Sequence, residues 1–90
     1  MKDFNFIHKR LWNDKAFIDK TLGPFTGKET FVEIDDTWTW ETIWVHVGLF
    51  PSKGQARKNG HGGKIAKGFS DTVTKKKRGI MVTVMNDFDE

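Results

Sequence analysis

Cationic side chains dominate the second half of this sequence and are its best candidates for chemistry. Residues 51–80 contain nine Lys and Arg residues against the single acid Asp71, whereas residues 1–50 contain six against eight acids. A Lys ammonium is a point charge and an Arg guanidinium is a planar bidentate donor, and both suit phosphate oxygens. This asymmetry favours a polyanionic partner, most often nucleic acid. The alternative is a basic face that serves only solubility.

Catalysis and metal binding find little support in the remaining polar residues. His8, His46 and His61 lack the spacing of a metal-ligand set. His61, which lies between two glycines in the basic stretch, could donate to a phosphate when protonated or act as a general base, but the sequence shows no acid partner for it. The glycine-rich segment 60–68 does not match the phosphate-loop pattern. We therefore predict a protein that is not an enzyme and that holds no metal or cofactor.

Composition indicates one small domain with an aromatic core. Four Trp and eight Phe among 90 residues supply dense apolar packing. The absence of cysteine excludes disulfides and thiolate chemistry and is typical of a reducing compartment. No apolar run approaches the roughly 20 residues that a membrane-spanning helix requires. We expect a soluble cytoplasmic protein, and the sequence leaves its oligomeric state open.

The N-terminal third is predicted to be mainly helical. Apolar residues recur three or four positions apart across residues 3–22, which indicates one helix or two short helices ending at Gly23 and Pro24. Asp14 is a candidate cap for the second of them. Residues 29–34 are rich in β-formers and predict a short strand.

The middle of the chain predicts two helices in succession. Within residues 37–48, Trp40, Ile43, Trp44 and Val47 have the single-face spacing of an amphipathic helix. After a turn, Ser52 and Gln55 match the capping box that begins a helix. The outer face of this second helix is expected to carry the basic residues Lys53, Arg57 and Lys58. The glycines that follow should end the helix after about two turns.

The last third predicts strands. Residues 64–66 and 69–73 indicate short strands, and residues 79–85 alternate as a half-buried strand does. The fold class is therefore α+β: a single domain with N-terminal helices, a helix, turn and short basic helix, and then a small, mostly antiparallel sheet. Within it we separate an N-terminal extension (1–36), a core (37–85) and an acidic tail (86–90).

Residues 44–65 carry a resemblance to a known family. Gly48-Leu49, Ser52-Lys53, Ala56-Arg57-Lys58, Gly63 and Ile65 follow the pattern of the alpha-L type RNA-binding domain, which occurs in tyrosyl-tRNA synthetases, pseudouridine synthases and one small-subunit ribosomal protein. The sequence departs from that pattern at Asn59-Gly60, where the family has a hydrophobic pair. The resemblance covers residues 39–85 at most, and it implies RNA docking on the basic face of the second helix.

Together these observations predict non-catalytic binding of structured RNA, with DNA as a second polyanion. The alternative is a small phage-type or accessory protein that binds an acidic surface of another protein. The residues expected at the nucleic-acid interface are Ser52, Lys53, Gln55, Arg57, Lys58, His61, Lys64, Lys67, Lys75, Lys76, Lys77 and Arg78.

Overall fold

The computed structural model describes residues 2–23, 25, 27–74 and 79–86, and these form three helices and four strands. None of these helices is long and apolar enough to cross a membrane. In chain order the elements are β1 (Lys2–His8), α1 (Lys15–Leu22), β2 (Thr30–Ile34), α2 (Trp40–His46), α3 (Lys53–Lys58), β3 (Gly68–Thr74) and β4 (Ile80–Asn86).

The strands form one mixed sheet in the order β2-β1-β4-β3. β1 pairs in parallel with both β2 and β4, and β3 pairs antiparallel to β4. The parallel pairing of β1 with β2 is made through α1, which is the crossover connection that such a pair requires. β1 and β4 are therefore the two central strands of the sheet.

Successive residues of β1 point to opposite faces of the sheet and into different hydrophobic clusters. Phe6 belongs to the main core, which lies between the sheet and helices α2 and α3, and the next residue, Ile7, belongs to the minor core under α1. The buried members of the main core are Phe6, Ile34, Ile43, Trp44, Val47, Leu49, Ala56, Ile65, Ile80, Val82 and Val84. Those of the minor core are Ile7, Leu11, Ile18 and Met85.

The predicted order of elements is wrong at the N-terminus. The chain opens with strand β1, and only the second part of the predicted helical stretch, α1, is helical. Phe4, Ile7 and Leu11 have helical spacing, but the apolar, polar, apolar order of residues 4–6 fits a strand as well. Pairing on both sides by β2 and β4 decides in favour of the strand. The cap proposed for α1 is confirmed, because the Asp14 carboxylate accepts from the Phe17 N–H at 3.1 Å.

The sheet also differs from the prediction. It was expected to be mostly antiparallel, whereas two of its three pairings are parallel. The predicted strand at residues 64–66 is absent from the described chain, where Lys64 forms only an isolated bridge with Thr39. With these corrections the molecule is a small domain of three helices and a four-stranded mixed sheet, roughly α+β in class.

The remaining predicted elements are confirmed with small changes in their ends. The strands expected at residues 29–34, 69–73 and 79–85 are β2, β3 and β4. Helix α2 begins after Thr39, and the Thr42 hydroxyl accepts from the Thr39 N–H. Residues 75–78, which follow β3 in the chain, and the tail beyond residue 86 lie outside the described residues.

Candidate nucleic-acid interface

Helix α3 holds its three cations on the outside because its only buried residue is small. Ala56 is fully buried in the main core, while Lys53, Arg57 and Lys58 are exposed. The Ser52 hydroxyl begins the helix by accepting from the Gln55 N–H at 3.2 Å, which is the first half of the predicted capping box. The result is a short, anchored helix whose outer face is cationic.

The glycine after α3 ends the helix in the way that the sequence predicts. Gly60 has a φ of 74°, in the left-handed region that favours glycine. Its N–H donates to the Arg57 carbonyl at 3.0 Å, and the His61 N–H reaches back to the Ala56 carbonyl at 2.9 Å. These two bonds form a Schellman motif. The Asn59-Gly60 pair, where the alpha-L pattern is interrupted, is thus a helix stop.

His61 packs into the structure instead of projecting into solvent. Its ring lies 5.7 Å from that of Trp44, edge-on, and 5.2 Å from that of Phe50. One ring nitrogen, Nδ1, lies 2.8 Å from the Asn59 carbonyl oxygen. His61 is therefore half-buried, although it lies between two exposed glycines.

A buried carboxylate organises the glycine-rich segment and was missed by the sequence reasoning. Glu41, in the first turn of α2, accepts from the Gly63 N–H at 2.8 Å and lies 3.6 Å from Arg57 Nη1. The Gly63 N–H, followed by the backbone N–H of Glu41 itself, lowers the pKa of this carboxyl, and the Arg57 charge acts in the same direction. One signal was present in the sequence. Glu41 is the only acid between Asp36 and Asp71.

The segment between α3 and β3 is fastened to the start of α2 by backbone contacts as well. The Trp40 N–H donates to the Gly63 carbonyl at 2.9 Å, and Thr39 pairs with Lys64 in the isolated bridge. Gly62 lies so close to Arg57 that a Cβ on it would be 2.8 Å from Arg57 Cγ. The segment is therefore fastened to the start of α2 at residues 62–64, and Gly62 lies close against Arg57.

The ion pair leaves the Arg57 guanidinium available to a partner. The 3.6 Å separation from Glu41 is longer than a hydrogen bond, and the Arg57 side chain is 63% exposed. Neither Lys53 nor Lys58 forms an ion pair with any residue in the described part of the chain. All three cations of α3 can thus face a polyanion together.

The predicted interface residues fall into three groups. Ser52, Lys53, Gln55, Arg57 and Lys58 are together on α3 and its cap. Exposed Lys64 lies beside α2, and Lys67, which is also exposed, comes just before β3. The third group, Lys75, Lys76, Lys77 and Arg78, lies outside the described residues.

The other histidines serve packing. His8 is completely buried at the end of β1, where Nε2 donates to Asp36 Oδ1 at 2.8 Å and Nδ1 accepts from the Arg10 N–H at 3.2 Å. Both ring nitrogens are therefore occupied. The exposed His46 packs its ring against Phe6 and Trp38. Among the described residues no group of three or more His, Asp or Glu side chains could hold a metal ion.

Comparison of this chain with family models, with curated proteins and with solved structures finds no match.

Proposed function

We propose that this protein binds structured RNA through the outer face of α3 and catalyses no reaction. The observation that carries the proposal is the grouping of exposed Lys53, Arg57 and Lys58 on a helix that Ala56 anchors in the main core. Structured RNA is recognised largely through its shape and backbone, for which a short, fixed row of cations is suited. A cytoplasmic location, favoured by the absence of cysteine, belongs to the same proposal.

The residues that carry the alpha-L resemblance support the proposal through their positions. Ser52 begins α3, Ala56 turns inward, and Arg57 and Lys58 turn outward. The resemblance implies this division of roles between anchoring and docking residues. Lys64, which lies next to the glycine segment, adds a further exposed cation.

Binding to nucleic acid makes a quantitative prediction about salt. If about five cations contact phosphates, log affinity should fall with log salt concentration with a slope of roughly −3.5 to −4.5. Arg57→Ala combined with Lys58→Ala should weaken binding and reduce that slope by roughly 1.4–1.8, because two phosphate contacts are lost. Fluorescence anisotropy with an RNA hairpin, a single-stranded RNA and a DNA duplex over a salt series measures both quantities.

A matched control removes the same charge from the opposite face of the sheet. Lys15→Ala combined with Lys20→Ala, both on exposed positions of α1, should leave the affinity for the hairpin and the salt slope close to wild type. A slope near zero would exclude nucleic acid as the partner. Equal affinity for RNA and DNA would leave only a general attraction to polyanions. Binding to an acidic protein without binding to any nucleic acid would favour the alternative partner.

A further inference from the structure

A groove of about 250 Å³ opens beside the cationic helix, between the start of α2, the glycine segment and β3. It is smaller than the roughly 300–1,000 Å³ of sites for drug-sized molecules, and so it suits a single planar ring system. Its lining residues are Trp40, Trp44, Gly60, His61, Gly62, Ser70, Asp71 and Thr72.

One wall of the groove is aromatic and held in position. Trp40 is half-buried, and its ring stacks on that of Trp44 with a centroid separation of 6.0 Å and an interplanar angle of 23°. The Trp40 backbone is fixed by its N–H bond to the Gly63 carbonyl. Trp44 in turn packs against the edge of His61. This wall therefore offers a preorganised surface for a second flat ring.

The opposite wall is a strand that carries hydroxyl groups. In the register of β3 with β4, Ser70 lies opposite Val84 and Thr72 lies opposite Val82. Because both valines belong to the main core, Ser70 and Thr72 are on the same face of the sheet as α2. Both are half-buried, and a hydroxyl can donate and accept hydrogen bonds. They can therefore bind the polar edge of a ring stacked on the aromatic wall.

The rim of the groove is cationic. Arg57 lies next to Gly62, a lining residue, since a Cβ added to Gly62 would be only 2.8 Å from Arg57 Cγ. Lys58 lies two residues before Gly60, and Lys64 is bridged to Thr39, the neighbour of Trp40 in the chain. Phosphates next to a ring in the groove would thus meet positive charge on the side of the glycine segment, whereas the lining residue on the β3 side that carries a charge is the acidic Asp71.

We propose that this groove captures one unpaired nucleobase from the bound RNA. The base stacks on Trp40, the hydroxyls of Ser70 and Thr72 bond to its edge, and Arg57 and Lys64 hold the neighbouring phosphates. Unpaired bases in loops and bulges are the part of structured RNA that aromatic side chains recognise. The inference rests on the proposed RNA binding and adds to it a site of recognition for a bulge or loop.

An RNA substitution tests the site with the wild-type protein. Three RNA hairpins are compared. The bulged hairpin carries one unpaired 2-aminopurine nucleotide, the abasic hairpin has the same bulge without the base, and a fully paired hairpin serves as reference. We expect the abasic hairpin to bind about 5- to 150-fold more weakly than the bulged one, which is the range for loss of one base stacked on an aromatic ring. The 2-aminopurine fluorescence should be quenched on binding.

Substitutions in the protein test the same site. Trp40→Leu should remove the preference for the bulged hairpin over the abasic one, whereas Trp12→Leu, at a half-buried tryptophan packed on the minor core, should keep it. Thr72→Val keeps a β-branched side chain of similar shape. It should weaken binding of the bulged hairpin by about 2- to 13-fold, the range for one hydrogen bond, and leave the abasic hairpin unaffected.

The outcomes separate this inference from the proposal on which it rests. Equal affinity for bulged and abasic hairpins, with binding still lost in Arg57→Ala combined with Lys58→Ala, would overturn the groove and leave RNA binding by α3 in place. Failure of every hairpin to bind would overturn both. A preference for the bulge that survives both Trp40→Leu and Thr72→Val would place the base elsewhere on the protein and so also overturn the groove.

Discussion

Glu41 shows how one residue can set the geometry of a surface to which it contributes no exposed charge. Its carboxylate is buried beneath Arg57 and bonded to the Gly63 N–H. Both contacts involve groups near the proposed interface, and both favour the ionised form of the carboxyl. A negative charge in a cationic region thus fixes the loop and the arginine of the proposed interface.

The stability of the fold should depend on pH through Glu41. Because the pKa of Glu41 in the folded state is below its ordinary value of 4.5, ionisation of this group stabilises the fold above that pH, and the contribution is lost as the pH falls through the folded-state pKa. Glu41→Gln should therefore melt at a lower temperature than wild type at pH 7. The difference in melting temperature should shrink as the pH falls below about 4.5.

Glu33→Gln is the matched control, since Glu33 is an exposed carboxylate on β2. Its melting temperature should follow that of wild type across the same pH series. A difference for Glu41→Gln that stays constant from pH 7 to pH 3 would assign the loss of stability to packing instead of charge.

At the scale of elements, α3 and the glycine segment behind it form one unit. Helix α3 has only six residues, too few to be stable without tertiary contacts. Ser52 caps its start, Gly60 ends it, and Ala56 anchors it. The segment that follows packs Gly62 against Arg57. The exposure of the cations on α3 therefore depends on the cap at Ser52, on the helix stop at Gly60 and on the close packing of Gly62 against Arg57.

Two glycine-to-alanine substitutions should change stability in opposite directions. At Gly54, inside α3, an added Cβ meets only Ser52 Oγ, at 3.9 Å, so Gly54→Ala should raise the free energy of unfolding by about 0.5–1 kcal/mol. At Gly62 the added Cβ lies 2.8 Å from Arg57 Cγ and 3.3 Å from the Glu41 carboxyl carbon. Gly62→Ala should lower the free energy of unfolding, because Arg57 must move.

Urea denaturation of the two variants beside wild type measures the free energies of unfolding. Each substitution adds the same methyl group and restricts the unfolded chain in the same way, so the pair isolates the contacts in the folded state. An increase in stability for both variants would mean that Arg57 is not held in place by the glycine segment.

At the scale of the whole molecule, β1 and β4 join the two hydrophobic cores. Both strands are buried on both faces, with Phe6 and Val84 in the main core and Ile7 and Met85 in the minor core. The same pair of central strands thus contributes buried side chains to both cores. We therefore expect the described domain to unfold as one cooperative unit.

Matched substitutions in the two cores test this expectation. Ile43→Val in the main core and Ile18→Val in the minor core should each lower the free energy of unfolding by about 0.5–1.5 kcal/mol. Their effects should add in the double variant to within about 0.5 kcal/mol, because the two residues belong to separate clusters. Circular dichroism and tryptophan fluorescence should report coincident urea transitions. Two separate transitions would show that the cores unfold independently.

Signals confined to a few neighbouring residues were sufficient to predict most elements from the sequence. Apolar spacing indicated α2, Ser52 and Gly60 marked the ends of α3, and alternation indicated β4. These signals depend only on local geometry: capping bonds, a glycine with positive φ, and the spacing of apolar residues within one helix or strand. They can therefore be recognised in the sequence without knowledge of the tertiary structure. The cationic outer face of α3 follows from the same local pattern, since Ala56 is the residue that faces inward.

Contacts between distant parts of the chain decided what the sequence left open or misread. β1 has a pattern that fits a helix or a strand, and its pairing with β2 and β4 settles which forms. The bond from Gly63 to Glu41 spans 22 positions, and the groove brings Trp40 opposite Thr72. Local propensity carries no information about which distant groups will meet. The sequence by itself therefore determined the cationic helix, and the tertiary structure decided its support and the groove beside it.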